Sequence, residues 1–391
     1  MNSLHTGRSA ARRWTFIIGA AFAGAGGLIP ASLPAETPDN GDGKLNAEVA
    51  ETNTRSLVLY GRLSVNAYYL EPADQSEAFL MDDKSLNSRL GVRFHEELDH
   101  GLTAFGKIEW NIQPTSQDAT AQMRDTHVGL RGAYGELAAG NFNGAYKTTG
   151  GVTWDPFVTT PLEARRQAAM AGGSYAQSGF MRRMVQYRTP AVQGFTGAVQ
   201  LGADDRSSEE PHARQRDGQG DAGDVNLGGK YGIGDFELIG AYSRADRAPS
   251  GQNRNWKAGA RWNNGTWDIA YQFEDVAIRD RIDFDGFDDV SDGVTVNNRP
   301  LEDDTRHHYS RVSYRTGPSQ FHGVWGYMDS AGDETDIIVY TLGYTHWFSE
   351  NFRAISGVQF QDRDAAYTSG DLTVFSAGFR YDFDADLYRL R

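Results

Sequence analysis

Residues 57–69 read LVLYGRLSVNAYY, and this alternation constrains the fold more than any other feature of the chain. Leu57, Leu59, Gly61, Leu63, Val65 and Ala67 take every second place, with Tyr60, Arg62, Ser64 and Asn66 between them. Successive side chains of a strand point to opposite faces, so the run has one apolar face and one polar face. The same period returns almost to the C-terminus. Trp256, Ala258, Ala260 and Trp262 alternate with Lys257, Gly259 and Arg261. After the tight-turn signal NNGT, Trp267, Ile269, Tyr271 and Phe273 alternate with Asp268, Ala270, Gln272 and Glu274. Near the end, Phe375, Ala377, Phe379, Tyr381 and Phe383 alternate with Ser376, Gly378, Arg380 and Asp382. About sixteen strands of this kind can be counted.

A soluble sandwich and a membrane barrel both use such strands, and they differ in which face is wet. The connections separate them. Short turns at 99–101, 132–135, 232–235, 316–318 and 349–351 trade places with long segments such as 203–223 and 277–304, rich in Asp, Glu, Gly and Arg. Short turns at one end and long loops at the other are the layout of an outer-membrane barrel. The polar face carries Arg, Lys, Glu, Gln and Tyr on most strands, and the apolar face turns aromatic toward strand ends, as at Tyr69, Trp110, Trp267 and Phe383. Interfacial girdles lie at such positions. The reading is all-β: a transmembrane antiparallel barrel whose apolar side faces lipid.

The N-terminus agrees. Arg8, Arg12 and Arg13 precede the apolar run WTFIIGAAFAGAGGLIPASLPA, a secretory signal peptide with cleavage expected after Ala35. The expected divisions are a signal peptide at 1–35, a polar leader at 36–55, a barrel at 56–383 and an extension at 384–391. The chain has no cysteine, which excludes disulfides and cysteine metal sites, and its net charge of −14 argues against nucleic acid as a partner. No cofactor and no metal is expected. The acidic run at 283–293 lacks the spacing of a calcium loop, and His307 and His308, adjacent on a strand, point to opposite faces.

Four segments resemble the general-diffusion porins of Gram-negative outer membranes, in that family's order and across residues 57–383. LYGRLSV (59–65) is similar to the first strand, and NSRLGVRFHEELDHGLTAFGKIEW (87–110) to the strand-turn-strand signature. RDTHVGLRGAYGELAAGN (124–141) resembles the next block, with Asn141 where an arginine is usual. VQYRTPAVQGFTGAVQ (185–200) resembles the hairpin that follows the constriction loop. The resemblance implies a 16-stranded barrel, a homotrimer, and passive diffusion of small hydrophilic solutes and ions. It also implies outer-membrane lipid and lipopolysaccharide as surroundings, and an assembly machinery that reads a terminal phenylalanine, here Phe383.

It further implies that the third long loop, 142–180, folds inward to narrow the pore. That loop is the longest stretch without alternation, and irregular backbone at membrane depth is tolerable only where it lines a watery cavity. By motif position the basic wall residues are Arg62, Arg89, Arg124 and Arg182, with Arg93 and Lys107 facing the lumen by parity. Parity also supports Arg62, Arg89 and Arg182, but leaves Arg124 open. On the loop stand the acids Asp155 and Glu163, beside Lys147, Arg165 and Arg166. Several arginines facing a near-neutral loop lean toward anions, while acidic outer loops pull the other way. Tyr146, Trp154, Phe157 and Tyr175 either anchor the loop or offer rings to a sugar. Three rivals stay open: a solute-specific channel, a barrel enzyme with a serine–histidine pair (His95 and His127 being the first wall histidines to consider), and a secreted carbohydrate-binding β-protein.

Overall fold

The computed structural model describes residues 55–390 except 75, 83–87, 116–122, 168, 172–179, 204–222, 248–250, 278–281, 284–299, 302–303, 332–335 and 365–369. The signal peptide, most of the leader, Tyr175, and most of the long loops at 203–223 and 277–304 lie outside the described residues, as does most of the acidic run at 283–293.

The chain forms β1 (Arg55–Pro72), β2 (Ala78–Asp82), β3 (Arg89–Leu98), β4 (Leu102–Asn111), β5 (Thr126–Gly132) and β6 (Gly135–Asn143). Next come β7 (Phe180–Arg188), β8 (Phe195–Gly202), β9 (Val225–Ile233), β10 (Phe236–Arg247), β11 (Gly251–Asn263) and β12 (Trp267–Ala277). The rest are β13 (Ile282–Asp283), β14 (Pro300–Leu301), β15 (Thr305–Thr316), β16 (Ser319–Ser330), β17 (Ile337–Trp347), β18 (Phe352–Arg363) and β19 (Leu372–Leu390). Sixteen of these make a closed antiparallel barrel; β2 edges the upper part of β1, and β13 pairs only with β14. Each barrel strand pairs with its neighbour in sequence, and β1 with β19 closes the ring. A closed ladder leaves no strand edge to be satisfied by lipid, which offers no hydrogen bonds.

The short turns form where the sequence signals them. In the β11–β12 hairpin, Asn264 Oδ1 accepts the N–H groups of Thr266 (3.1 Å) and Trp267 (2.8 Å), while Gly265 takes φ 86°, a value a side chain would oppose.

Burial is inverted relative to a soluble protein. Arg62, Ser64 and Asn66 of β1 are each 2% exposed, while Leu63 between them is 42% exposed. Val128, Leu137, Ile269, Leu342 and Phe375 also stand on the outer face, exposed. An apolar surface this continuous fits lipid as its solvent. Aromatic pairs mark its lower border, among them Trp267–Tyr314 (4.8 Å between centroids) and Phe352–Phe379 (5.6 Å). Rings crowd the outer face of β9 to β19, whereas β1 to β6 present mostly Leu, Val, Ile, Ala and Gly.

The tail beyond Phe383 is strand. Residues 384–390 continue β19 and pair with Arg55–Tyr60, through an irregularity at Leu57/Val58. The Phe383 ring sits over Gly61, where an added Cβ would lie 2.4 Å from it.

Candidate functional site: an inward loop and a basic wall

Between β6 and β7 the chain turns into the barrel. It forms a short helix, α1 (Ala145–Thr148), then single 3-10 turns at Gly151–Thr153 and Ala164–Gln167. The wall receives it with polar side chains that bond its backbone. Gln200 accepts the N–H of Ala145 (2.9 Å), Asn226 that of Tyr146, and Gln272 that of Gly151 (2.7 Å). Gln359 donates to the carbonyl of Leu162 (3.3 Å). Irregular backbone has no ladder of its own, so these side chains supply the partners it needs.

Aromatic side chains fix it further. Tyr146, Trp154 and Phe157 are fully buried. The Tyr146 hydroxyl donates to Glu274 (2.8 Å), and Trp154 Nε1 donates to Glu237 (2.7 Å). The Trp154 carbonyl accepts Tyr309 (3.1 Å) and Arg311. These three rings anchor the loop, the role the sequence left open against sugar stacking.

Beneath Trp154, Phe157 and three other loop residues the wall is bare. Inward-facing glycines on five strands meet the loop so closely that an added Cβ would overlap it: Gly228 under Thr149, Gly259 under Trp154, Gly326 under Ala169, Gly343 under Phe157 and Gly357 under Leu162, at 2.0 to 2.8 Å. The missing side chains form the seats in which the loop lies.

The charges divide unevenly between loop and wall. Both loop acids are fully buried and serve the loop's own fold. Asp155 accepts the N–H of Phe157 (2.9 Å) and of Ala164 (2.7 Å), pinning the two ends of that bend. Glu163 accepts Thr159 N–H (3.3 Å) and Arg165 Nε (2.7 Å). Lys147 donates to Asn143 (2.9 Å) and lies 4.6 Å from the Phe180 ring centre. The Arg166 side chain lies outside the described residues.

Along the inner wall a basic band runs across β18, β19, β1, β3 and β4 to the residues before β5. Arg353, Arg380, Arg62, Arg89, Arg93, Lys107 and Arg124 supply seven cations to three carboxylates, Asp382, Glu109 and Asp125. Asp382 meets Arg62 (2.6 Å), Arg380 (2.8 Å) and Arg353 (3.6 Å). Glu109 meets Arg124 (2.8 Å), Arg89 (3.5 Å) and Lys107 (3.6 Å), and accepts the Tyr60 hydroxyl (2.9 Å). Lys107 also reaches Asp125 (2.9 Å), and Arg93 covers the Tyr60 ring at 4.1 Å.

Two of the wall arginines differ from a reading by strand parity. Arg124 lies just before β5, so the parity of Val128 and Leu130 does not govern it, and it turns inward to Glu109. Arg182 stands with Arg183 in a bulge, where Met181 pairs with Phe142 and Met184 with Gly140. Both methionines are buried, so alternation fails at Arg182, whose side chain is half-buried.

A second charged group escaped the sequence reading. Asp268 accepts Arg261 twice (2.8 and 2.7 Å) and ion-pairs with Arg311. Alternation already puts Lys257, Arg261, Asp268, Arg380 and Asp382 on the polar face, but it carries no signal for which of them meet. The two wall histidines have local partners: His95 pairs with Ser56 (2.6 Å), and His127 pairs with Asp125 (2.9 Å) and stacks on Phe142. His307 faces inward and His308 outward.

Known proteins share this architecture. In solved structures, the anion-selective porin from Comamonas acidovorans superposes with a TM-score of 0.68 at 17% identity, over 84% of this chain and all of that one. Salmonella typhi OmpF, in complex with daunomycin, gives 0.58 at 16% identity, over 85% of this chain and 98% of that one. In sequence, the major outer membrane protein P.IB of Neisseria meningitidis serogroup B (strain H44/76) is 23% identical over 314 residues, 76% of this chain and 83% of that protein. The family model described as Gram-negative porin matches residues 43–366, most of the chain. A closed sixteen-strand barrel with a lipid-facing apolar wall, a polar interior and an inward loop thus coincides with a family match across its length: the chain belongs to the Gram-negative porins, channel-forming proteins of the outer membrane.

Proposed function

We propose that this porin is a general-diffusion channel that favours small anions, with its constriction between the inward loop and the band Arg62, Arg89, Arg93, Lys107 and Arg124. The observation that carries the reading is the charge division. The loop spends Asp155 and Glu163 on its own backbone and on Arg165, so it turns no free carboxylate toward a wall that carries excess cations. In a narrow, low-dielectric passage such an excess raises the local concentration of anions. The anion selectivity of the Comamonas acidovorans porin is consistent with this reading.

The same proposal takes the protein as a trimer packed through the outer face of β1 to β6, where rings that suit a lipid interface are sparse. The acidic outer loops would meet lipopolysaccharide through divalent cations, and Phe383 with its strand would meet the assembly machinery. Residues 1–35 would be removed on export, which N-terminal sequencing of the mature protein checks. Catalysis is not part of the reading: in the buried pair Ser313–His322 (2.8 Å) the second ring nitrogen meets Thr345 (3.1 Å), a neutral group in place of the acid that would orient a catalytic histidine.

The test is the reversal potential of the purified protein in a planar bilayer under a potassium chloride gradient. A potential of the sign set by chloride supports the proposal. One set by potassium overturns it.

A further inference from the structure

Below the inward loop, toward the short-turn end of the barrel, lies a cleft that adjoins the Arg353–Arg380 end of the basic band. Pro156 and Val158 of the loop roof it, and the β11–β12 turn forms part of its floor. Four arginines line it, Arg311, Arg315, Arg353 and Arg380; Arg353 and Arg380 share Asp382 with Arg62, and the one carboxylate in the lining itself is Asp268. That carboxylate is already engaged by Arg261 and Arg311.

The arginines are held in place before any ligand arrives. The guanidinium carbons of Arg315 and Arg353 lie 4.7 and 5.9 Å from the Trp347 ring centre. Arg311 is 2% exposed and fixed through Nη1 to the Trp154 carbonyl, while its buried Nε donates to no described group. Guanidinium forks ordered on a ring lose little freedom when they bind an anion.

We propose that this cleft is a binding site for a multiply charged phosphate-type oxyanion, entered from the short-turn face of the barrel. This rests on the anion-favouring reading above. Three features select the ligand class. The uncompensated charge exceeds what one chloride or one carboxylate neutralises. The arginines come from β15, β18 and β19, so they approach from several directions, as a tetrahedral group requires. Arginine forks match phosphate oxygens two at a time. A solute held here sits directly beneath the loop, so it obstructs the current.

The test uses single channels of the full-length protein at constant ionic strength, with sodium pyrophosphate added to either face and succinate as comparator. Block is expected from one face only, and more strongly by pyrophosphate than by succinate. The chain has no cysteine, so Arg315→Cys with a charged thiol reagent identifies the sensitive face. Arg315→Gln is expected to weaken the block about tenfold, the scale of one lost charge-assisted fork. Arg315→Lys should fall between, since it keeps the charge without the fork. Heat-modifiable gel mobility shows whether each variant has folded, and Arg353→Gln serves as the second variant if Arg315→Gln does not fold. Equal block from both faces, block unchanged in the folded glutamine variant, or stronger block by succinate overturns the site. If the site fails while the reversal potential still follows chloride, the anion preference survives it; a potential that follows potassium removes both.

Discussion

Replacing Gly343 by alanine tests whether the bare wall positions fix the width of the pore. The new methyl group would lie 2.3 Å from the ring of Phe157 and 2.8 Å from the Ser356 carbonyl of the adjacent strand. Ordinary contact distances are ~3.5 Å, so the ring must retreat by roughly 1 Å. The wall behind Gly343 is held on both sides by the β16 and β18 ladders, whereas the described part of the loop is tied to the wall through side chains. The loop therefore yields, and the direction open to it is the lumen. Overpacking of this size costs about 1–3 kcal/mol, enough to displace the bend from its seat. Alanine keeps the N–H and C=O groups of the ladder, so the barrel itself should melt as before. The expected result is a smaller single-channel conductance and a lower size limit for sugars in liposome swelling, with the heat-modification temperature unchanged. In a Phe157→Leu background the ring edge is gone, and the added methyl should have much less effect; the clash with Ser356 is common to both backgrounds and cancels in the cycle. Conductance unaltered by Gly343→Ala, or lost equally in the leucine background, refutes the reasoning.

Arg62→Gln with Arg89→Gln should shift the reversal potential toward potassium, by more than either change alone, because both sit in the band where cations outnumber carboxylates. Asp268→Asn leaves Arg261 and Arg311 buried without their shared carboxylate. A broken buried pair of this kind costs about 3–5 kcal/mol, and a lower heat-modification temperature should report it. Deleting residues 384–391 strips Arg55–Tyr60 of its partner on one side, so folding yield in detergent should fall, while any channels that do form keep the wild-type conductance. An unchanged yield would mean that the end of β19 is dispensable for closure.

The wall of this barrel is legible in the sequence because strand parity is a local rule. Leu57 to Tyr69 already tells which side chains meet lipid, and the same count places Lys257, Arg261 and Asp268 inside. Parity fails at Arg182, where the extra residue of a bulge opposite Asn141 breaks the count and leaves no composition cue. The aromatic anchors stood out as bulky residues in a stretch without alternation. Their seats did not. Phe157 meets Gly343, and Leu162 meets Gly357, across almost two hundred residues of chain, and a glycine inside an alternating strand looks the same whether it is a seat or a gap. The loop acids were visible as acids, but their use in bonding nearby N–H groups rather than facing the wall depends on how the bend folds. The tail after Phe383 looked like an appendage because alternation weakens there; its pairing with Arg55–Tyr60 lies in the register of a strand more than three hundred residues away.

That register also sets an order in time. Strands β1 and β19 meet along the whole of β1, from Arg55 opposite Leu390 to Pro72 opposite Leu372. The ring thus closes through its first and last segments, a contact of the greatest sequence separation the fold possesses, and such contacts form late. Until the final residues have left the ribosome and crossed the inner membrane, β1 has one edge without a partner. Every earlier strand faces the same condition in turn, since an incomplete ring always has two open edges. A chain built this way gains nothing from folding as it emerges; it must travel whole and open, with its lipid-facing rings exposed to water, and commit to its shape only where the membrane is.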